Sequence, residues 1–425
     1  MSERSQQPPQ RPIVVIGADA VPRLGQFCRE TGRRRLLLVA DANTYQAIGE
    51  TVEATLRGTG AEVRSVVFKG GEVVADAHHL LRVLLAAGGA DLTFISVGAG
   101  TITDITRFVS HRTGGSFISV PTAPSVDGYT SIGAPLIVDG IKTTAHAHAP
   151  LAIFGDLPTL CAAPRRMIAA GFGDMLGKHT SVADWRLAHL LWDLPYDESI
   201  ARRSIGAVEA CEEHAEQIAA ASADGVRGLM EALIESGYCM LDFGSSLPAS
   251  GSEHHFSHFW EMKLLREGRP AVLHGAKVGV ATILVAGLYE QVRRISREQA
   301  AALLHDSRLP DREEEMQRIR SVYGPLAPEV IAAQAPFLNM SEPDYARLKQ
   351  KILDRWEDIQ EISRQVPGPA RMTALLQAAG GPVTAAELGL TEEERVLAQT
   401  MSHYLRPHFT IPKLMRILGQ GAVRQ

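Results

Sequence analysis

The pattern of this 425-residue chain changes near residues 156–160, and this change most limits the folds it can adopt. Before the change, short β-rich runs alternate with segments of helical spacing. After Pro158 the apolar residues keep helical spacing throughout. Strands that alternate with helices predict a mainly parallel sheet covered on both faces. The predicted strands are PIVVIG (12–17), RLLLVAD (35–41), EVRSVVF (62–68), DLTFISVG (91–98), SFISV (116–120) and LAIFGD (151–156).

The length exceeds what one ordinary core accommodates, so we expect two domains. The predicted fold class is an α/β domain with a mainly parallel sheet over 12–157, followed by an all-helical domain over 158–425. Residues 1–11 are polar and rich in Pro and Gln, which predicts a disordered tail and not a signal peptide. A cleft between two such domains is a usual place for a ligand.

Composition excludes several classes of function. The net charge of −5 is spread without long runs of one sign, which argues against a nucleic-acid or membrane-surface role. The four cysteines form no C-x-x-C pair, as expected for reduced thiols in the cytoplasm. The apolar stretch VGVATILVAGLY at 278–289 is shorter than the ~20 residues of a membrane span. We therefore expect a cytoplasmic protein in which this stretch is a buried core helix.

A turn rich in small residues follows the fourth strand, in FISVGAGTITD at 94–104. Small residues at 98–100 would let the backbone approach a diphosphate, and a helix start favours negative charge. Thr101, Thr103 and Asp104 are candidates to cap and open that helix. A tight turn also favours glycine without any ligand. A standard dinucleotide fold has its glycines after the first strand, so a non-standard cofactor site is indicated.

Two other strand ends carry polar groups. Asp41 ends the second strand and could accept hydrogen bonds from an adenosine ribose, or could simply cap a turn or helix. The segment SVPTAPSVDGYTS at 119–131 follows the fifth strand. Its prolines fix the loop and its hydroxyls offer donors, which suits a cofactor or substrate, although a plain surface loop has the same composition. Asp127 is its only charged residue.

Three histidines lie within five positions in SGSEHHFSHFWE. On a helix, His254 and His258 share a face, while His255 points elsewhere. Downstream, His274 begins another apolar helix. Upstream, Asp174 lies in a small and apolar segment, where a buried carboxylate needs a partner such as a divalent ion. One carboxylate and two imidazoles with an open position are typical of a catalytic metal site, although each histidine alone is more often an ordinary hydrogen-bonded residue.

The chain contains five strings in this order: GAGTITD, SVPTAPSVDGYTS, GFGDMLGKHTSVADW, PASGSEHHFSHFWEM and LHGAKVGVATI. Together they resemble the sn-glycerol-1-phosphate dehydrogenases, within the iron-dependent alcohol dehydrogenase and dehydroquinate synthase superfamily. The resemblance covers most of residues 35–290. It implies an N-terminal Rossmann-like domain, a helical C-terminal domain, and NAD(P) and a divalent metal in the cleft.

Carried over position by position, the resemblance implies Asp174, His254 and His274 as metal ligands. Asp174 and Asp127 would also contact the substrate, and His258 would face it. The implied NAD(P) site has Asp41 at its adenosine end and comprises Gly98, Ala99, Gly100, Thr101, Ile102, Thr122, Ala123, Pro124, Ser125 and Ser131.

The implied reaction is the reduction of dihydroxyacetone phosphate by NAD(P)H to sn-glycerol 1-phosphate, a precursor of phospholipids. A zinc, nickel or iron ion would polarise the ketone, and His258 or a water that it orients would supply the proton. Asp127 would orient a hydroxyl group. The family also implies a homodimer. His255 is left as a neighbour that supports packing or a hydrogen bond.

The substrate phosphate needs a cation, for which Lys142 and Lys178 are candidates. Lys178 could instead pair with Asp174 one helical turn away. In KTTAHAHAP, read as a loop, His146 and His148 stand where related chains often carry lysine. The alternatives are a glycerol or polyol dehydrogenase, a dehydroquinate synthase-like cyclase, and a non-catalytic nucleotide-binding scaffold.

Overall fold

A computed structural model describes residues 11–88, 91–138 and 141–420. The predicted tail, 1–11, therefore lies outside the described residues except for Arg11. The chain divides into two units. Unit 1 comprises Met1–Met175 and Glu209–Ser245, and unit 2 comprises Leu176–Val208 and Ser246–Gln425. The predicted domain limits follow the change in secondary structure instead of this division, and they stay a prediction.

The described residues of unit 1 form eight strands, six of them in one parallel sheet of order β1-β8-β5-β4-β2-β3. These six are the six predicted strands, so the parallel sheet is confirmed. The strands are β1 (Ile13–Gly17), β2 (Arg35–Asp41), β3 (Glu62–Phe68), β4 (Thr93–Gly98), β5 (Ser116–Pro121), β6 (Gly133–Val138), β7 (Ile141–His146) and β8 (Ala152–Asp156).

Strands β6 and β7 form an antiparallel hairpin that was not predicted. The reading of KTTAHAHAP as a loop is wrong over its first five residues, because these belong to β7. The backbone pairs from Gly133 with His146 to Val138 with Ile141. Strand β7 forms because its backbone groups pair with those of β6, although its own apolar pattern is too weak to predict a strand.

Helices alternate with the strands from β1 to β5, and past Asp156 the described part of the chain has helices and no strand, as predicted. Short π or 3₁₀ turns join some of them. The helices are α1 (Ala20–Glu30), α2 (Ala42–Thr44), α3 (Glu50–Gly58), α4 (Ala77–Ala86), α5 (Gly100–Arg112), α6 (Leu157–Cys161), α7 (Arg165–Leu176), α8 (Lys178–Trp192), α9 (Glu198–Glu212), α10 (Ala215–Ala219), α11 (Ala223–Phe243), α12 (Ser252–Arg266), α13 (His274–Arg293), α14 (Arg297–Asp306), α15 (Arg312–Tyr323), α16 (Ala327–Ala333), α17 (Ala335–Leu338), α18 (Glu342–Asp354), α19 (Trp356–Gln365), α20 (Pro369–Ala378), α21 (Glu392–Met401) and α22 (Ile411–Ile417).

Both faces of the sheet are buried, as a parallel sheet requires. In β2, Leu36 and Leu38 belong to one apolar cluster, whereas Leu37 and Val39 belong to another. Successive side chains of a strand point to opposite faces, so the near-continuous apolar run of β2 serves two cores. The predicted core helix over 278–289 is confirmed within α13, where most of its residues are buried.

None of the helices in the described ranges is long and apolar enough to cross a membrane.

The strand order reverses between β2 and β4. The chain passes from β2 outward to β3, and then returns to place β4 on the other side of β2. In open α/β sheets, ligands bind in the crevice beyond the carboxyl ends of the strands at such a reversal. Here the two strands that flank it end at Asp41 and Gly98. Both are predicted cofactor residues, so the topology brings them to one edge of the sheet.

Two glycines let helices of unit 1 approach the loop that follows β5. A Cβ atom on Gly171 of α7 would lie 1.8 Å from the carbonyl oxygen of Pro124. A Cβ atom on Gly237 of α11 would lie 1.8 Å from Thr130 Oγ1 and 2.9 Å from the carbonyl oxygen of Asp127. The loop after β5 therefore packs directly against the backbone of α7 at Gly171 and of α11 at Gly237.

We expect Gly237→Ala to lower the free energy of unfolding by about 1–3 kcal/mol, because the added methyl group overlaps Thr130. Gly228→Ala on the same helix is the matched control, since a Cβ atom there has nothing within 4 Å. It should gain up to ~1 kcal/mol from helix propensity. Urea denaturation of both variants measures the difference, and equal stability would contradict the packing.

Candidate functional site

The turn between β4 and α5 has no side-chain cap. Helix α5 begins at Gly100, and its N-cap residue is Ala99. The predicted cap is wrong, because Thr101, Thr103 and Asp104 lie within the helix, and Thr103 Oγ1 donates back to the carbonyl oxygen of Ala99 (3.0 Å). No capping side chain therefore binds the first N–H groups of this helix. An anion at the helix start would need these N–H groups to be available.

The loop after β5 borders this turn. The backbone N–H of Thr122 donates to the carbonyl oxygen of Gly98 (3.3 Å). A Cβ atom on Gly100 would lie 3.2 Å from Val126. The predicted cofactor residues 122–125 are buried, so the two predicted cofactor segments are packed together.

Asp41 caps the helix after β2. Its Oδ1 atom accepts from the backbone N–H groups of Asn43 (2.8 Å) and Thr44 (3.0 Å). The capping alternative is therefore observed. Both bonds use the same oxygen, so the ribose contact of Asp41 stays a prediction and does not conflict with the cap.

Arg107 on α5 holds the end of the same loop, and sequence reasoning missed it. Its guanidinium is buried and donates to the carbonyl oxygens of Gly128 (2.5 Å), Tyr129 (3.1 Å) and Gly133 (2.9 Å). It also donates to the carboxylate of Asp104 (2.8 Å). Burial lowers the pKa of Arg107, and Asp104 opposes that shift. Four acceptors on one buried cation fix the backbone on either side of Ser131.

Unit 1 brings together the two predicted substrate carboxylates. Asp174 lies on α7 and is fully buried. Its Oδ2 atom accepts from the backbone N–H of Asp127 (3.0 Å). The Oδ2 atom of Asp127 in turn accepts from Ser236 Oγ (2.9 Å). The loop after β5 and helix α7 therefore present both acids side by side.

Unit 2 brings together the three predicted imidazoles. His254 and His258 lie one turn apart on α12, and His274 is the first residue of α13. The ring centroid of His274 lies 5.1 Å from that of His254 and 5.5 Å from that of His258. The predicted shared face of His254 and His258 is confirmed by their ring separation of 6.1 Å.

A buried carboxylate, Glu253, supports the first of these rings. Its Oε1 atom lies 2.7 Å from His254 Nδ1 and accepts from the N–H of Gly251 (2.7 Å). Its Oε2 atom accepts from Thr180 Oγ1 (2.6 Å). Burial acts to raise the pKa of Glu253, but the hydrogen bonds from His254 and Thr180 hold that pKa below its usual value. A carboxylate oxygen can only accept, so in a neutral imidazole that makes this contact the proton lies on Nδ1 and Nε2 is the unprotonated nitrogen.

A second buried acid, Asp184, secures the start of α12. It accepts from the backbone N–H (2.8 Å) and hydroxyl (2.5 Å) of Ser252, from the N–H of Ile411 (2.7 Å) and from the hydroxyl of Tyr289 (2.8 Å). Burial and the neighbouring carboxylate of Glu253 raise the pKa of Asp184 to about 7. Helices α8, α12 and α13 and the start of α22 meet at this one side chain.

His258 has a carboxylate partner of its own, which the sequence did not single out. Its Nδ1 atom lies 3.4 Å from Glu261 Oε2. Lys277 Nζ lies 3.5 Å from that same oxygen. His258, Glu261 and His274 offer ligand atoms within 4.8 Å of one another. The i, i+3 spacing of His258 and Glu261 was the available signal.

His255 has a different environment. It is buried, and its ring packs 5.5 Å from that of His408. Neither ring nitrogen has a hydrogen-bond partner among the residues that the structure describes. Burial holds the pKa of His255 well below its usual range. Of its two predicted roles, packing is therefore the one observed.

The two candidate lysines lie in different units. Lys178 is the buried first residue of α8 in unit 2 and donates to the carbonyl oxygen of Ala249 (3.1 Å). Lys142 lies in β7 of unit 1. Close to it in sequence, His148 Nε2 lies 2.9 Å from Ser110 Oγ.

Comparison with known proteins shows which family profile matches this chain and which solved structures share its fold. The profile of the iron-containing alcohol dehydrogenases matches residues 15–164. Among solved structures, glycerol dehydrogenase from Schizosaccharomyces pombe superposes with a TM-score of 0.64 at 17% identity, covering 98% of this chain and 90% of that one. At that identity the likeness shows the fold alone.

Two curated relatives carry the same name, glycerol-1-phosphate dehydrogenase [NAD(P)+]. The protein from Bacillus subtilis is 44% identical over 66% of this chain and 72% of its own length. The protein from Halalkalibacterium halodurans is 39% identical over 93% of this chain and 90% of its own length. With identity at that level across nearly its whole length, this chain belongs to the glycerol-1-phosphate dehydrogenase family.

Proposed function

We propose that this chain catalyses the reversible, NAD(P)H-linked reduction of dihydroxyacetone phosphate to sn-glycerol 1-phosphate. The observation that carries the proposal is the 39% identity to a glycerol-1-phosphate dehydrogenase over 93% of the chain. A polyol dehydrogenase of the same fold is less well supported, because the glycerol dehydrogenase structure is only 17% identical.

We propose that Asp174, His254 and His274 bind one divalent ion. One carboxylate and two imidazoles are donors of the types that suit zinc, nickel or iron. The contact of His254 Nδ1 with Glu253 leaves Nε2 as the nitrogen for coordination, which fits a ligand role. When bound, such an ion supplies a Lewis acid for the ketone.

The proposed cofactor is NAD(P)H, held by residues 98–102, 122–125 and Ser131, with Asp41 toward the adenosine. The strand reversal between β2 and β4 and the helix start without a capping side chain support this location. Arg107 keeps the loop around Ser131 in place through its three carbonyl contacts. The cofactor supplies the hydride.

The remaining groups handle the substrate and the proton. Glu261 lies at the Nδ1 atom of His258, so we propose that the opposite nitrogen, Nε2, exchanges a proton with the substrate oxygen. Asp127, held by Ser236 and seated beside Asp174, would orient a substrate hydroxyl group. These acids and His258 together would fix the triose for hydride transfer.

The product would supply the backbone of phospholipids. We further propose that the enzyme acts as a cytoplasmic homodimer, and that Lys142 or Lys178 contributes to binding of the substrate phosphate.

The function is tested by measuring nicotinamide absorbance with dihydroxyacetone phosphate and with dihydroxyacetone at equal concentrations. We expect a higher kcat/KM for the phosphorylated ketone, because a phosphate group adds charge-assisted hydrogen bonds. Preference for dihydroxyacetone would instead establish a polyol dehydrogenase. Absence of turnover with every metal and cofactor would leave a non-catalytic nucleotide-binding protein.

We expect His274→Ala to lose bound metal and activity together, by at least ~100-fold in each, because it deletes a ligand. Metal analysis of the purified variant and the absorbance assay measure the two losses. His305→Ala, which changes an exposed histidine of the same unit, is the control and should keep both. Full activity of His274→Ala without metal would end the proposal.

His258→Asn should behave differently. We expect kcat to fall by about 10²–10⁴-fold while the metal content stays at the wild-type level, because a proton donor is lost and no ligand is removed. Metal analysis and steady-state kinetics of the same preparation test this. Loss of the metal would show that His258 is a ligand, alongside Glu261 or in place of another residue.

A further inference from the structure

We propose that Glu253 is a positioning residue for the metal centre, whose carboxylate fixes the tautomer and orientation of His254 and strengthens that imidazole as a ligand. The inference rests on the proposed function, because it takes His254 to be a metal ligand. Glu253 itself would touch neither metal nor substrate.

Both carboxylate oxygens of Glu253 accept hydrogen bonds from groups that are themselves held in place. Oε1 receives the backbone N–H of Gly251 and the Nδ1–H of His254, both at 2.7 Å. Oε2 receives the hydroxyl of Thr180 at 2.6 Å. Helix α8 supplies Thr180, and the turn before α12 supplies Gly251, so two separate segments hold the carboxylate.

Close packing leaves this carboxylate little freedom. A Cβ atom on Gly251 would lie 3.0 Å from Glu253 Oε2 and 2.9 Å from Asp184 Oδ2. Both acids are buried, at 0% and 2% exposure. A side chain that is fixed in this way can hold an imidazole ring in one orientation, which a solvent-exposed carboxylate could not do.

A buried carboxylate is costly, and an amide or a hydroxyl would cap the turn at lower cost. What the carboxylate adds is negative charge at His254 Nδ1. Metal-bound histidines commonly donate their other N–H to a carboxylate, which fixes the tautomer and raises ligand basicity. Removal of such a partner typically costs about 10–100-fold in metal affinity. A purely structural cap would affect folding and leave metal affinity unchanged.

Glu253→Gln separates charge from shape. The Gln Oε1 atom can still accept from Gly251 and His254, and its NH₂ group can donate to Thr180 Oγ1. The Thr180 hydroxyl can then donate to the carbonyl oxygen of Gly177, already 3.1 Å away. Each of the three contacts of Glu253 keeps a donor and an acceptor in this variant, so it should fold without the negative charge. Glu253→Leu removes the acceptor as well.

The control is Glu315→Gln, in the same unit. Glu315 is a buried carboxylate that contacts Arg416 and Tyr404 and no predicted ligand. It therefore matches the chemical change and the burial, but not the contact with an imidazole.

The experiment measures the affinity of the full-length, metal-stripped protein for Co²⁺ by competition with a chelator, together with the visible absorption of bound Co²⁺. We expect about tenfold weaker binding for Glu253→Gln and about 100-fold for Glu253→Leu. The absorption bands of the Gln variant should shift. Glu315→Gln should bind Co²⁺ as the wild type does, even if its melting temperature falls.

If folded Glu253→Gln has the Co²⁺ affinity and the absorption spectrum of the wild type, the inference is overturned. If Glu253→Leu fails to fold, the result for Glu253→Gln is sufficient to decide. An equal loss of affinity in Glu315→Gln would also overturn it, because the effect would then be general destabilisation. Failure of the wild-type protein to bind Co²⁺, Zn²⁺, Ni²⁺ or Fe²⁺ would instead refute the proposed metal-dependent function itself.

Discussion

Burial of charge constrains both units of this protein. Arg107 in unit 1 and Glu253 in unit 2 are each fully buried. An uncompensated buried ion costs several kcal/mol, so each must be surrounded by groups of opposite polarity. Arg107 is surrounded by carbonyl oxygens of the loop after β5, and Glu253 by donors at the start of α12. Moving either segment would leave a buried ion without its hydrogen-bond partners. The segments proposed to hold cofactor and metal are therefore held in place by contacts with buried charge.

The sequence predicts the main sheet well because each strand of a doubly covered parallel sheet is a short, nearly continuous apolar run. It fails at the β6–β7 hairpin, where Ile141–His146 is mostly polar. The pair Asp139-Gly140 between the two runs is a sequence signal for a hairpin. Arg107 and Glu253 could not be found in this way. Beside local contacts, Arg107 has partners 21–26 positions away and Glu253 has one 73 positions away, and neither periodicity nor spacing encodes a contact at that range.

The string Glu253-His254-His255 shows how far helical periodicity goes. Periodicity correctly places His254 and His258 on one face and His255 on another. It does not show that His255 is buried against His408, because His408 lies beyond residues 35–290, which the family resemblance covers. Nor does it show that Glu253 turns back toward Gly251 and Thr180. Adjacent polar residues of one motif thus have separate tasks that only the tertiary contacts distinguish.

Fold and substrate are decided by different parts of this chain. A glycerol dehydrogenase and a maleylacetate reductase share its architecture at 16–17% identity, so the arrangement of sheet and helices is compatible with several substrates. Dihydroxyacetone phosphate differs from dihydroxyacetone by a dianionic group, and recognition of that group requires cations or N–H donors at a few positions. Substrate choice can therefore change through single side chains while the buried ions that support the site, Arg107 and Glu253, stay as they are.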